Sequence, residues 1–456
     1  MATTLAVILS EWVGGAGPAW AATGFLLTAL GVLALRVSLV QRTFLAIGFV
    51  LALLAIATLP DWQALLHRAF SSASFIVAYF VALLSLRVAA ANSSAMAECG
   101  RFFGEQPPGR RYLALTVGGQ LFGLVIIYGA ISVLGTMVQT SVKHEPDLRV
   151  RAIRLRRMLL AVQRGLVSIL PWSPVAFTLA VTTPLVPGAT WGGVVLPCFM
   201  SGVLLMLVGW TVDTLFERHP PAVPSGAAEP APDLAIWLRK TAPLLLLLSG
   251  LAAVFAGLMQ ISDVRFQGIV MVTVPFIAFF WAAGQSVVGT AAHQPASLGR
   301  HCWTFVRKDL PEARGEVVLL SMAGFIGSLG TGLLEPLVEG VVLSALPPAL
   351  LLLSVMVLIP ITGQIGMNPI LAVSLIAPLL PSGQELGVSP AAIVVAITAG
   401  WALSGATSPY TASTLLVAYF GEVRAVRVGL VWNGLFLLFS ILALALWIII
   451  VMHVWP

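Results

Sequence analysis

Long apolar runs separated by short basic or Pro- and Gly-rich segments set the pattern of the whole chain. Runs such as Phe25 to Leu35, Phe44 to Leu59 and Leu244 to Gly257 are apolar for most of the ~20 residues that a bilayer-crossing helix requires. The pattern predicts spans at 18–35, 43–60, 69–87, 158–185, 191–215, 242–262, 267–291, 316–343, 389–420 and 427–454. Two further apolar segments, 112–138 and 350–380, remain. Composition agrees with this reading, since 59% of the 456 residues are hydrophobic and only 9% are charged, against roughly a quarter charged in soluble domains. The expected fold class is an all-α polytopic membrane protein with about ten transmembrane helices and two re-entrant hairpins in an inverted-topology repeat.

Charge decides how the two extra segments are read. If 112–138 and 350–380 are hairpins that return to the side they entered from, nearly every Lys and Arg falls on one side, including the cluster Lys143, Arg149, Arg151, Arg154, Arg156 and Arg157. Only Arg68 and Arg265 fall on the other. Making 112–138 an ordinary span would put a basic group outside, against the positive-inside bias. The hairpin reading places the long basic loops in the cytoplasm and both termini outside, as in a bacterial inner (plasma) membrane protein. The net charge of +6 is then a topogenic signal, with no nucleic-acid partner implied. Met1 to Gly15 has no basic start and carries Glu11 in its only apolar stretch, so no cleaved signal is expected.

The Pro-rich stretch with Pro220, Pro221, Pro224, Pro230 and Pro232 reads as a cytoplasmic linker, 217–241, between a first repeat, 1–216, and a second, 242–456. Each repeat has three spans, a hairpin and two spans, the first of which is broken. An odd number of crossings per half inverts one half relative to the other, a common plan of secondary transporters. Short motifs recur in the same order: Gly119-Gln120 and Gly363-Gln364 in the hairpins, Ser173-Pro174 and Ser408-Pro409 in the broken spans.

Proline inside a span removes a backbone hydrogen bond that lipid cannot replace. In Ser173-Pro174, Ser408-Pro409 and Asn368-Pro369 a capping residue precedes Pro, the order expected where a new half-helix starts. Such N-termini favour an anion. Gly119, Gln120, Ser173, Pro174, Gln364, Asn368, Ser408 and Pro409 are therefore the candidate substrate-binding residues. Unwound backbone and hydroxyls at Thr178, Gly363, Gly366, Gly405, Thr407, Thr411 and Ser413 are the candidates for a coupling ion, Na⁺ or H⁺. The alternative is that these are proline kinks whose hydroxyls bond back to the helix.

Other chemistry is poorly represented. The cysteines, Cys99, Cys198 and Cys302, have no metal or disulfide spacing. The histidines sit in loops or at span ends, so no cofactor, metal site or catalytic cluster is expected and an enzyme is disfavoured. Glu335, Glu339, Asp213 and Arg164 read as interfacial anchors or ion pairs near span ends.

The arrangement of three spans, a hairpin, a broken span and a final span, repeated upside down, resembles the ion transporter superfamily, in particular divalent-anion/sodium symporters and the large membrane subunits of TRAP transporters. The likeness covers nearly the whole chain. The polar motifs of that group map by position to Gly119 and Gln120, Ser173 and Pro174, Gly363, Gln364 and Asn368, and Thr407, Ser408 and Pro409, although no Ser-Asn-Thr triplet occurs at these places. The resemblance implies an ion-coupled symporter of a small anionic solute with an elevator mechanism, in the form of a homodimer in the lipid bilayer. The alternative is a non-transporting membrane subunit or scaffold of a larger envelope assembly.

Overall fold

The computed structural model describes residues 1–91, 93–104, 106, 108–143, 145–216, 234–287, 298–338 and 346–455. The stretch 217–233 of the expected linker, the ends of the expected spans 267–291 and 316–343, and Glu339, His144, His219 and His293 lie outside the described residues, as does the side chain of Glu335. Among the described residues there is no strand. In chain order the helices are α1 (Ala2–Trp12), α2 (Ala16–Ala34), α3 (Leu39–Thr58), α4 (Trp62–Ala91), α5 (Ser94–Gly104), α6 (Pro108–Ile126), α7 (Gly129–Val142), α8 (Leu148–Ile169), α9 (Phe177–Leu185), α10 (Trp191–Leu215) and α11 (Leu234–Ile261). There follow α12 (Phe266–Val287), α13 (Leu298–Thr304), α14 (Leu310–Glu312), α15 (Arg314–Val338), α16 (Pro348–Gln364), α17 (Pro369–Ile376), α18 (Gly383–Leu386), α19 (Pro390–Thr407), α20 (Ala412–Phe420) and α21 (Gly434–Val454).

Among the described residues, nine helical segments are long and apolar enough to cross a bilayer, and they coincide with nine of the predicted spans. The remaining one, 158–185, is split: α8 opens on the arginines 149–157 and stops at Ile169, and the short α9 completes the segment. The chain is a multi-pass membrane protein. Three local expectations are corrected. The N-terminal α1 was not predicted. The basic loop 139–157 is mostly helix, because Asp147 caps α8 by accepting from the backbone N–H groups of Arg149 (2.8 Å) and Val150 (3.3 Å). The linker stops short of 241, since α11 begins at Leu234 and carries Arg239 and Lys240 on helix.

The chain forms two compact units, and each draws on both sequence halves. The first comprises 1–92, 249–345 and 370–381. Here α4 is the central helix, with Ala69, Ala73, Ala78 and Ala82 fully buried; small residues let neighbouring backbones approach where no water drives association. Gly324 and Gly332 of α15 lie against Ile76 and Leu65 of α4. The Trp12 indole N–H donates to the Gly268 carbonyl (3.2 Å) and Glu11 pairs with Arg265, which fastens α1 to the start of α12. In contrast, α3 leaves Phe49, Val50 and Leu53 more than half exposed, a surface suited to lipid.

The second unit comprises 93–248, 346–369 and 382–456. Its core is formed by the buried end of α8, Met158 to Ile169, and by α19, buried at every position from Ala391 to Thr407. Around them pack α6, α10, α16 and α21. All of the sequence-predicted site residues fall in this unit.

The native cysteines report on this arrangement. Cys99 and Cys198 are buried and Cys302 is exposed; burial pushes the Cys99 thiol up to about 12, so little thiolate exists at neutral pH. A maleimide should label Cys302 alone. With Cys302 replaced, Ala97→Cys on α5 and Ser141→Cys on α7, both at exposed positions, should label from the same membrane face if 112–138 returns to the side it entered from. Labelling of the two from opposite faces would make that segment an ordinary span.

Candidate functional site

The two Ser-Pro breaks have the same backbone conformation. Ser173 is fully buried and its Oγ accepts from the N–H of Val175 at 3.2 Å; Ser408, 1% exposed, accepts in the same way from Tyr410 at 3.3 Å. The carbonyls of Ser173 and Ser408 accept from Ala176 and Thr411, three residues on. The helix then restarts at Phe177 or Ala412 and runs nine residues in each case. A nine-residue half-helix thus recurs 235 residues along the chain. The expectation that Ser caps this half-helix with Pro at its first position is corrected: the cap positions are Ala176 and Thr411, and neither makes a side-chain cap bond. The serine hydroxyl turns back around the proline in a local turn, which delays the new helix by three residues. At the third place α17 begins on Pro369, directly after Asn368.

Pro409 leaves the last carbonyls of α19 without helical donors, and side chains replace them. The Gly405 carbonyl accepts from Ser413 Oγ and from Thr411 Oγ1 (3.4 Å). The Ala406 carbonyl accepts from Asn433 Nδ2 (3.1 Å), Gln163 Nε2 (3.3 Å) and Thr414 Oγ1 (3.4 Å). Ser408 Oγ donates to the Gly363 carbonyl at 2.6 Å, which ties the end of α16 to the break. Thr407 bonds back to Leu403 at 2.7 Å. The first break is less complete. The hydroxyls of Thr178 and Thr182, one turn apart on α9, and of Ser404 on α19 are buried and without a hydrogen-bond partner. Leu170 reaches within 2.8 Å of where a Cβ on Gly405 would stand, so the two breaks adjoin.

The glycines of the expected hairpins prove to be packing positions. A Cβ on Gly119 would lie 2.5 Å from the Val162 carbonyl oxygen, and one on Gly165 would lie 2.2 Å from that of Thr116, so α6 and α8 touch backbone to backbone. The same contact recurs between Gly400 of α19 and the Met356 carbonyl of α16 at 2.7 Å. Gly123 opposite Ile169 corresponds in this register to Gly363 opposite Ser404. The pairing of Gly119-Gln120 with Gly363-Gln364 is therefore one helical turn out of register, because the crossing and not the dipeptide sets the equivalence. Gln120 Nε2 donates to Ser168 Oγ at 2.8 Å. Gln364 makes only a 3.5 Å bond to the Pro360 carbonyl of its own helix. Gly366, at φ +92°, supplies the left-handed residue of the turn between α16 and α17. Pro174, Pro409 and Asn368 are half-buried beside these groups.

Sequence reasoning passed over the largest polar cluster of the unit. Asn433, between a π-helical turn at Arg427–Trp432 and α21, is fully buried. Besides Ala406, its Nδ2 donates to Gln163 Oε1 (2.9 Å) and to the Val428 carbonyl (3.3 Å), and its Oδ1 accepts from Arg164 Nε (3.3 Å). Arg164 is 1% exposed, with Nη1 3.4 Å from both the Tyr112 hydroxyl and the Gly209 carbonyl and its guanidinium over the Phe436 ring at 5.0 Å. It is no interfacial anchor. Asp213 is paired as expected, taking both Nε and Nη2 of Arg157 at 2.9 and 2.7 Å. The missed signal was the presence of Gln163 and Asn433 within spans, where a neutral amide also needs partners.

No protein-family model and no curated protein sequence matches the chain. The fold is shared with two solved membrane proteins. The YdaH transporter of Alcanivorax borkumensis, whose topology is described as unusual, superposes with a TM-score of 0.59 over 90% of this chain and 98% of its own, at 18% identity. MtrF of Neisseria gonorrhoeae, described within a class of antimetabolite efflux pumps, superposes with a TM-score of 0.54 over 95% of this chain and 98% of its own, at 13% identity.

Proposed function

We propose that the protein is a secondary active transporter of a small organic anion of the carboxylate type, coupled to Na⁺ or H⁺. The observation that carries this reading is the pair of matching breaks in the second unit, which bring half-helix ends, buried hydroxyls and amides together in an otherwise apolar core. Half-helix N-termini suit anions and unwound carbonyls suit cations. Thr178 and Thr182, buried without partners, are oxygen ligands to spare for a coupling cation. The shared fold with two proteins described as a transporter and an efflux pump supports a transport role.

The finer reading is an elevator-type carrier of the ion transporter superfamily, a homodimer in a bacterial inner membrane with its basic segments cytoplasmic. Its support is the composition of the units: the second gathers the broken spans and final spans of both sequence halves, and the first gathers the leading spans of both. In an elevator such a gathered body carries the site across as one piece.

The test is uptake in proteoliposomes of a panel of carboxylates and other small anions under imposed sodium or proton gradients. Replacing Ser173, Ser408, Gln364 or Asn368 by Ala should weaken substrate binding while leaving insertion intact. Losing one such hydrogen bond costs about 1 to 3 kcal/mol, or roughly five- to 150-fold in affinity. If no panel member moves under either gradient, the non-transporting scaffold becomes the better reading; if uptake occurs and all four variants match the parent, the site is misplaced.

A further inference from the structure

Arg164 is the largest fully buried side chain among the described residues, and its charge is uncompensated. Its hydrogen bonds, 3.3 to 3.4 Å, are long beside the ~2.7 to 2.9 Å of charge-assisted pairs. Nη2 has no partner, and among the described residues no carboxylate pairs with it. The contrast lies two turns away on the same helix, where Arg157 grips Asp213 with both nitrogens of its fork. A guanidinium taken out of water without a countercharge is costly, and dipoles and a ring face recover only part of that cost.

We propose that Arg164 is the binding residue for a monoanion of carboxylate or halide size, received on the unpartnered Nη2 edge of the guanidinium. The charge balance sets the valence. One uncompensated positive charge is neutralised by one negative charge, whereas a dianion would leave a buried excess. For the transported solute, an identification that rests on the proposed function, this selects monocarboxylates over dicarboxylates. A halide offers the same single charge and is the second source of the chemistry.

The test uses the full-length protein purified in detergent, with thermal unfolding followed against choline acetate, choline chloride and choline succinate at matched ionic strength. In the parent, acetate or chloride should raise the midpoint by several degrees and succinate by clearly less. In Arg164→Met the anion response should vanish, whatever shift in the midpoint in anion-poor buffer follows from removing the donor to Asn433 Oδ1. An unchanged acetate response in Arg164→Met overturns the proposal. So does a parent with no anion response paired with a variant that is destabilised in every buffer, since Arg164 is then only a structural donor. Should Arg164→Met yield no folded protein, Arg164→Lys decides: an anion affinity lowered at least tenfold supports the site and an unchanged one overturns it. Reconstituted uptake separates this inference from the function on which it draws. Monocarboxylate uptake that survives intact in the variants removes the site and leaves transport standing. An Arg164-dependent anion response in a protein that moves no carboxylate leaves the site standing and removes transport.

Discussion

Gly165→Ala should cost this protein about 3 kcal/mol of stability or more. Helix propensity alone favours the change, because alanine exceeds glycine by about 1 kcal/mol in a helix interior. The contact reverses the sign. A Cβ at position 165 would stand 2.2 Å from the Thr116 carbonyl oxygen and 3.1 Å from its Cα. The obstacle is backbone, and no rotamer change removes it. Close packing of α8 against α10 leaves little room to adjust, since a Cβ on Gly202 of α10 would stand 2.3 Å from the Ser168 carbonyl. Overpacking a core commonly costs about 1 to 3 kcal/mol, and here α6 must separate from α8. The measurement is thermal unfolding in detergent, with Gly24→Ala and Gly31→Ala on α2 as controls. Nothing lies within 4 Å of a Cβ at either control, so both should hold or gain stability. A Gly165→Ala protein that melts with the parent would show that the crossing is looser than described.

The spans were legible because a run of some twenty apolar residues has few uses outside a bilayer, and the breaks because Ser-Pro occurs twice at matching distances. What the Ser-Pro pair does locally was not legible. A serine before proline reads as a cap in sequence, but whether its hydroxyl reaches forward into a new helix or turns back around the proline depends on dihedrals that no dipeptide fixes. The glycines failed for a different reason. Gly119 and Gly363 were matched through the glutamines that follow them, whereas their roles are set by what lies opposite, Val162 in one case and Ser404 and Ser408 in the other. That is a property of two helices and has no signature in one. The buried cluster is not legible from charge alone, which marks Arg164 and Asp213 near span ends and places Arg164 at an interface. Its partners Gln163 and Asn433 are neutral and lie 270 residues apart.

Those two amides carry the last prediction, a double-mutant cycle. Asn433→Leu keeps the volume of the side chain but strands Gln163 Oε1 and Arg164 Nε, both of which bond to the Asn433 amide, while the Val428 carbonyl retains the backbone N–H of residue 433. An orphaned buried group costs about 1 to 3 kcal/mol, so this variant should lose roughly 3 to 5 kcal/mol. Gln163→Leu is milder, because the Ala406 carbonyl retains Asn433 and Thr414 as donors, and should lose about 1 to 3 kcal/mol. The double variant removes both ends of the 2.9 Å amide–amide bond and no longer leaves Gln163 Oε1 without a partner. Its loss should fall short of the sum of the single losses by about 1 to 2 kcal/mol, within the range for residues in direct contact. Unfolding in mixed micelles measures all four corners of the cycle. Losses that add within about 0.5 kcal/mol would mean that the two amides do not act as one network, and the end of α19 would then depend on the hydroxyls of Thr411, Ser413 and Thr414 alone. If the coupling is found, the same pair should matter to the proposed transport, because the Ala406 carbonyl that it satisfies borders the break at Ser408.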